Sequence, residues 1–235
     1  MMKSKNLCFW VGMSFVDVPT FYIHKNVLEW EVKSVKEHIK HWYPKDERFF
    51  KVLSIAGNVR QEDAAKIDIS ASRLKNMEKD KLIEKVTYPS RYNKSPGSNV
   101  SYALTKKGKD FIEKKYGISR CQNAHAAEHN CKVAEIICSL EKKEIETVQA
   151  EWQTRDQMEE ALEQMRQEGD YDQYDYYMDL WKAGLISAVD VVYTSVKTGE
   201  MVCCEVVTNS YKDSDIQGKE YCGEILQTEI EYVRV

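Results

Sequence analysis

The 235-residue sequence has little of what marks disordered, disulfide-bonded or membrane-spanning chains. It contains only 4 Pro and 10 Gly, and 43% of its residues are apolar, a composition typical of a folded globular protein. Its 7 Cys are odd in number and irregularly spaced, so they predict no disulfide framework and favour a reducing cytoplasm. No apolar run is long enough to cross a membrane, and we therefore expect no membrane partner.

Charge is distributed unevenly along the chain. The net charge is −4, but residues 46–118 hold 16 Lys or Arg against 10 Asp or Glu, a net of +6, and residues 121–235 hold 10 against 24, a net of −14. A local positive excess is typical of a surface that binds nucleic-acid phosphates. The acidic part would repel DNA, so we expect it to face a protein partner or a second copy of the chain.

Hydrophobic periodicity divides the chain into three segments. Residues 1–45 are predicted to form two short strands and an amphipathic helix over 25–42. The sequence leaves open whether this helix caps the next segment or mediates self-association. Residues 46–118 form the second segment, and residues 119–235 form the third, acidic one.

The second segment has the order helix, helix, turn, helix, hairpin, helix. The first helix ends at Gly57, which can adopt the positive φ that closes a helix. A short helix follows over 59–67, and Ser70 is placed to cap a third helix over 71–83. Strand-forming residues on both sides of the turn formers SRYNKSPGSN predict a hairpin with a basic tip. The sequence YALTKKG then leads into a last helix.

This order, with a hairpin strand that runs into a Leu-Thr-x-x-Gly helix start, resembles the winged helix-turn-helix of the MarR, PadR and replication-relaxation families. The resemblance implies that the third helix enters a DNA major groove and that the hairpin tip contacts a neighbouring backbone or minor groove. Asn and Arg can contact purine edges, and Ser and Lys can hold phosphates. The implied DNA-binding residues are Ser70, Ser72, Arg73, Lys75, Asn76 and Lys79 on the helix, and Arg91, Tyr92, Asn93 and Lys94 at the tip. A polar face that is merely solvated is the alternative interpretation.

Cys121, His125 and His129, with Cys131 nearby, form a candidate metal site. Residues four apart lie on one side of a helix, and zinc binds imidazole and thiolate ligands. The sequence has no paired Cys-x-x-Cys knuckle here, so a buried or capping histidine is the alternative interpretation.

The third segment is predicted to alternate strands and helices. We expect a strand in ETVQAEW, a helix over 155–167 and an acidic, aromatic loop over 168–184. A two-stranded hairpin, a helix and a last strand follow.

The hairpin carries Asp190 on its first strand and Glu205 on its second, and this part of the chain resembles the core of the restriction-endonuclease-like fold. In that family an Asp and a Glu-x-Lys hold Mg²⁺ and polarise water against a phosphodiester. The residue two after Glu205 is Val207, and the nearest lysine, Lys212, lies past the strand. The resemblance therefore implies a degenerate site without catalysis or a required cofactor. Two alternatives stay open: Asp190 and Glu205 are ordinary strand charges without a metal, or they serve a Mg²⁺-dependent nuclease.

Together these patterns predict an α+β protein, in which a winged helix-turn-helix precedes a small mixed α/β domain. We expect a cytoplasmic, non-catalytic protein that binds double-stranded DNA. Its expected role is accessory or regulatory, in the replication, mobilisation or transcription of a bacterial plasmid or mobile element. A protein-interaction adaptor is a further alternative.

Overall fold

The computed structural model describes residues 37–89 and 99–235. These residues form helices and two small sheets, which confirms the α+β class. The strands predicted in residues 1–24 and most of the helix predicted over 25–42 lie outside the described residues. Residues 37–42 are described and are not helical, because the backbone N–H groups of His38 and Ile39 donate to the Asp80 carboxylate instead of to a helical turn.

The first part of the fold consists of four helices and a hairpin. Its elements are α1 (Pro44–Ala56), α2 (Gln61–Lys66), α3 (Ala71–Lys79), β1 (Ile83–Tyr88), β2 (Asn99–Leu104) and α4 (Lys106–Tyr116). β1 and β2 pair antiparallel, with Ile83 opposite Leu104 and Tyr88 opposite Asn99. The predicted order of elements is present.

Local signals set most boundaries in this part. Gly57 has φ 83 at the end of α1, and the Ser70 hydroxyl accepts a hydrogen bond from the Arg73 backbone N–H at 3.3 Å. The third helix is shorter than predicted, because Lys81 adopts φ 59 and the Leu82 N–H bonds back to the Met77 carbonyl. The chain then enters β1.

The Leu-Thr-x-x-Gly pattern has a steric explanation. The Thr105 hydroxyl accepts from the Gly108 N–H at 3.0 Å, which caps α4, and donates to the Lys81 carbonyl at 2.6 Å. A Cβ atom at Gly108 would lie 1.9 Å from the Leu82 carbonyl oxygen. Only glycine therefore lets the first turn of α4 approach the loop that follows α3.

The second part of the fold contains a four-stranded sheet covered by helices. Its elements are α5 (Ala127–Ser139), α6 (Lys142–Thr147), β3 (Gln149–Ala150), α7 (Glu151–Glu168), α8 (Tyr171–Lys182), β4 (Val191–Thr194), β5 (Met201–Val207), α9 (Asp213–Leu226) and β6 (Ile230–Arg234). The strand order is β3-β4-β5-β6; β5 and β6 are parallel and the other pairs antiparallel. None of the helices in the described residues is both long and apolar enough to span a membrane.

Two predictions for this part are wrong. The strand expected in ETVQAEW is reduced to the two residues of β3, because α7 already begins at Glu151. The loop expected over 168–184 contains helix α8, which Asp170 caps by accepting from the Gln173 N–H at 3.4 Å. Its apolar residues have helical spacing and pack against the core that α7 and α9 share. Tyr174, Tyr177, Met178 and Trp181 have this spacing, and Leu180 packs against the same core.

One hydrophobic core continues from the first part of the fold into the second. It includes Phe49 and Phe50 of α1, Ile137 of α5, Val191 of β4 and Val206 of β5, each fully buried. Glu37–Val235 accordingly forms one compact unit. The boundary between residues 118 and 119 stays a sequence-based prediction, and the packing is continuous across it.

Candidate nucleic-acid interface and carboxylate cluster

Helix α3 presents one open polar face. The face is made by Ser72, Lys75, Asn76 and Lys79. With about 100° of rotation per residue these four share one side of the helix, opposite the buried Leu74 and Met77. Asn76 is half-buried and the other three are exposed. Within the described part of the chain, the side chains of Lys75, Asn76 and Lys79 have no hydrogen-bond or ion-pair partner.

The open face lies between two other elements. On one side Glu78 pairs with Lys85 of β1 at 3.3 Å, so the hairpin borders α3 there. On the other side Arg73 and Asp80 hold the segment 38–43, which precedes α1. The predicted tip residues Arg91, Tyr92, Asn93 and Lys94 lie outside the described residues.

Arg73, predicted to contact DNA, is engaged within the protein. Its Nε and Nη2 atoms donate to the two carboxylate oxygens of Asp46 at 2.9 and 2.7 Å, and Asp46 is fully buried. Nη2 also donates to the His41 carbonyl at 2.7 Å, and the guanidinium lies 5.2 Å from the centre of the Trp42 ring. Arg73 therefore joins α3 to the start of α1. Ser70, also predicted to contact DNA, caps α3 and is exposed.

The helical spacing assumed for the candidate metal site is wrong. Helix α5 begins at Ala127, so Cys121 and His125 lie in the irregular segment before it. The Asn130 side-chain amide, which donates to the Asn123 carbonyl at 2.7 Å, helps to hold that segment out of the helix. No group of three or more His, Cys, Asp and Glu side chains in residues 37–89 and 99–235 is arranged to hold a metal ion.

His129, the third member of that set, belongs to a different cluster. Its Nε2 atom lies 3.1 Å from Oδ2 of Asp190, which directly precedes β4. Burial alone would lower the pKa of His129, but the hydrogen bond and charge of Asp190 outweigh it and raise that pKa. Asp190 Oδ2 also accepts from the Val206 backbone N–H at 2.9 Å.

Glu205 lies at the centre of this cluster and is fully buried in β5. Its Oε2 atom accepts from the Asp190 backbone N–H at 2.9 Å. Its Oε1 atom accepts from the Tyr211 hydroxyl at 2.6 Å and pairs with Nζ of Lys219 at 2.9 Å. Burial and the charge of Asp190 raise the pKa of Glu205, and Lys219 and Tyr211 oppose that effect.

Lys219 is a residue that the sequence analysis missed. It lies on α9, its side chain is only 12% exposed, and it also donates to the Ala188 carbonyl. The cluster therefore contains a lysine, and the expectation that the two acids lack a lysine partner is wrong; Lys212 was only the nearest lysine along the sequence. The available sequence signal was its helical spacing from the apolar Cys222 and its place next to the small Gly218, both of which the structure buries on α9.

Comparisons with protein-family models, curated proteins and solved structures find no match to this chain. Its function is therefore inferred from the chemistry of these residues.

Within the carboxylate cluster Glu205 is closed to solvent, whereas the side chains of His129 and Asp190 are 22% and 14% exposed. Both oxygens of Glu205 already accept hydrogen bonds from protein donors, and no surface of this residue reaches solvent. A buried carboxylate that accepts hydrogen bonds from several secondary-structure elements holds those elements together. Here the linked elements are α5, β4, β5 and α9.

Proposed function

We propose that this chain binds double-stranded DNA through a winged helix-turn-helix formed by α1–α4 and the β1–β2 hairpin, with α3 in the major groove. The observation that carries the proposal is the open face of α3, on which Lys75, Asn76 and Lys79 have no partner within the described residues. An unpaired amide and two ammonium groups on one helix face supply one base-reading group and two phosphate-binding groups.

The dimensions of α3 support this role. It has 9 residues and is therefore about 13.5 Å long at 1.5 Å per residue, comparable with the width of about 12 Å of a major groove. The net charge of +6 in residues 46–118 favours approach to a polyanion. The order of α1–α4 and the hairpin resembles that of winged-helix domains, in which the hairpin borders the helix that enters the groove.

We propose a non-catalytic role for the second part of the fold, although β4, β5 and α9 resemble a restriction-endonuclease-like core. The three donors already on Glu205 support this proposal, because a Mg²⁺ ion at its Oε1 atom would compete with Lys219 and Tyr211. With a net charge of −14 in residues 121–235, this part would face a protein partner or another copy of the chain.

A cytoplasmic accessory or regulatory protein of a bacterial plasmid or mobile element remains the proposed cellular role. In the described part of the chain the cysteines are unpaired, which agrees with a reducing compartment. The acidic composition alone would equally suit an adaptor that binds a basic protein. An adaptor would bind no duplex even at low salt, which separates it from a DNA-binding protein.

The test compares a variant of the open face with a matched control. Genomic fragments captured by the wild-type chain are sequenced to obtain a target site, and affinity for that duplex is then measured. Lys75→Ala/Asn76→Ala should weaken binding by at least tenfold, because a bidentate base contact is worth about 1–3 kcal/mol and a phosphate contact adds to it. Lys182→Ala/Asn209→Ala removes the same two residue types at exposed positions of the acidic part and should bind like the wild type. Equal affinity of the two variants would contradict the proposal.

A further inference from the structure

Residues 38–43, which we name the strap, run along α3 in the opposite direction. At the carboxyl end of the helix, the backbone N–H groups of His38 and Ile39 donate to the carboxylate of Asp80 at 2.8 and 2.9 Å. Near its amino end, Arg73 donates to the carbonyl of His41 at 2.7 Å. The strap therefore spans α3 from its last residues to its first turn.

The strap is fixed at both ends by buried or charged groups. Ile39 is 3% exposed and lies in the main core, and the ring of Trp42 packs 4.7 Å from that of Phe111. The His38 ring nitrogen Nδ1 lies 2.7 Å from Asp80, whose carboxylate accepts three hydrogen bonds from the strap. Hydrogen bonds to an ionised carboxylate are among the stronger ones in proteins. The strap is thus held in place before any ligand binds.

The outward side of the strap carries groups that bind phosphate. Lys40 and His41 are exposed, and Tyr43 is 52% exposed. In the described residues the side chains of Lys40 and His41 have no ion-pair or hydrogen-bond partner. An ammonium, an imidazole and a phenol hydroxyl can each donate a hydrogen bond to a phosphate oxygen.

The strap and the hairpin lie on opposite sides of the open face of α3. With about 100° per residue, Arg73 and Asp80 are on one side of Asn76 and Glu78 is on the other. Arg73 and Asp80 hold the strap, and Glu78 pairs with Lys85 of the hairpin. A helix in a major groove has a phosphate backbone on each side.

We propose that the strap is a second phosphate-binding element, which contacts the DNA backbone on the side of the groove opposite the hairpin. This inference rests on the proposed function and deepens it, because it assigns Lys40 and His41 to the interface. Phosphate contacts of this kind fix the register of a helix in the groove without reading sequence. The strap would then set how α3 is oriented on the duplex.

The test measures how duplex binding by the full chain depends on salt. Each phosphate contact contributes about 0.9 to the slope of log K against log salt. Lys40→Gln should therefore reduce the magnitude of the slope by about 1 and the affinity at 0.1 M salt by about tenfold. The control, Lys182→Gln, removes one exposed lysine from helix α8 and should leave slope and affinity like those of the wild type. Thermal unfolding of both variants should match the wild type, because both side chains are exposed.

The outcomes separate this inference from the proposed function. If the wild-type chain binds no duplex at low salt, both are wrong. If Lys75→Ala/Asn76→Ala loses affinity while Lys40→Gln keeps the slope and affinity of its control, the strap has no phosphate-binding role and only this inference is wrong. A smaller slope for Lys40→Gln with an unchanged sequence preference supports it.

Discussion

Replacing Arg73 should destabilise the fold, because its partner Asp46 is fully buried. The guanidinium donates two hydrogen bonds to that carboxylate, at 2.9 and 2.7 Å, and its own side chain is only 16% exposed. Without Arg73, the carboxylate of Asp46 would keep the Tyr43 backbone N–H as a donor, at 2.8 Å, and would lose its counter-charge. Arg73→Met removes the charge and keeps much of the side-chain volume, so it isolates this effect.

The expected loss is about 3–5 kcal/mol, the cost of leaving one partner of a buried ion pair without the other. For a compact unit of this size, 1 kcal/mol corresponds to about 2–4 °C in Tm. Arg73→Met should therefore lower Tm by roughly 6–20 °C. An exposed arginine that only contacted DNA would change Tm by very little.

The assay is thermal and urea unfolding of the wild type, Arg73→Met, Asp46→Asn and the double variant. Removing the buried charge should relieve much of the cost, so Arg73→Met should destabilise the Asp46→Asn background far less than the wild-type background. A Tm within about 2 °C of the wild type, together with a loss of duplex binding, would refute the structural role of Arg73. Equal destabilisation in both backgrounds would also contradict it.

Two further predictions concern the carboxylate cluster. Asp190 raises the pKa of His129 in the folded chain. The charged form of His129 therefore stabilises the fold fully below the unfolded-state pKa, and this stabilisation is lost as pH rises through the folded-state pKa. In urea unfolding, His129→Gln should therefore be more destabilising near pH 5 than near pH 8.5, which lie below and above the ordinary histidine pKa of about 6.5. A difference that does not vary with pH would contradict this pairing. The wild-type chain should not nick supercoiled plasmid in the presence of Mg²⁺ or Mn²⁺, and nicking that disappears in Asp190→Ala/Glu205→Ala would show that the cluster is catalytic.

Elements governed by local signals could be predicted from the sequence. Gly57, Ser70 and Thr105 each mark a helix end or start through hydrogen bonds with residues three or four positions away along the chain. The hairpin strands and the antiparallel β4–β5 pair were predicted for the same reason, since alternation and turn residues are adjacent in sequence. Helix α8 was missed because its many acidic residues concealed the helical spacing of its tyrosines.

The site residues depended more on contacts between distant parts of the chain. Arg73 carries the residue type expected on a DNA-reading helix, but its partner Asp46 belongs to another helix, so sequence spacing could not place them together. Lys219 reaches Glu205 only because α9 packs against the sheet. Lys75 and Lys79 needed only the helical period of α3, and the structure places both on its exposed face. Whether they contact DNA stays a prediction.

The most direct measurement is the affinity of the full chain for duplex DNA as salt is varied, for the wild type and for Lys75→Ala/Asn76→Ala. A DNA-binding protein should bind a random duplex at low salt and weaken steeply as salt rises, because phosphate contacts release counterions. The variant should keep its Tm and lose most of its preference for a selected site. Absence of duplex binding by the wild type at low salt, or a variant with the same site preference as the wild type, would contradict the assignment of α3 as the DNA-binding helix.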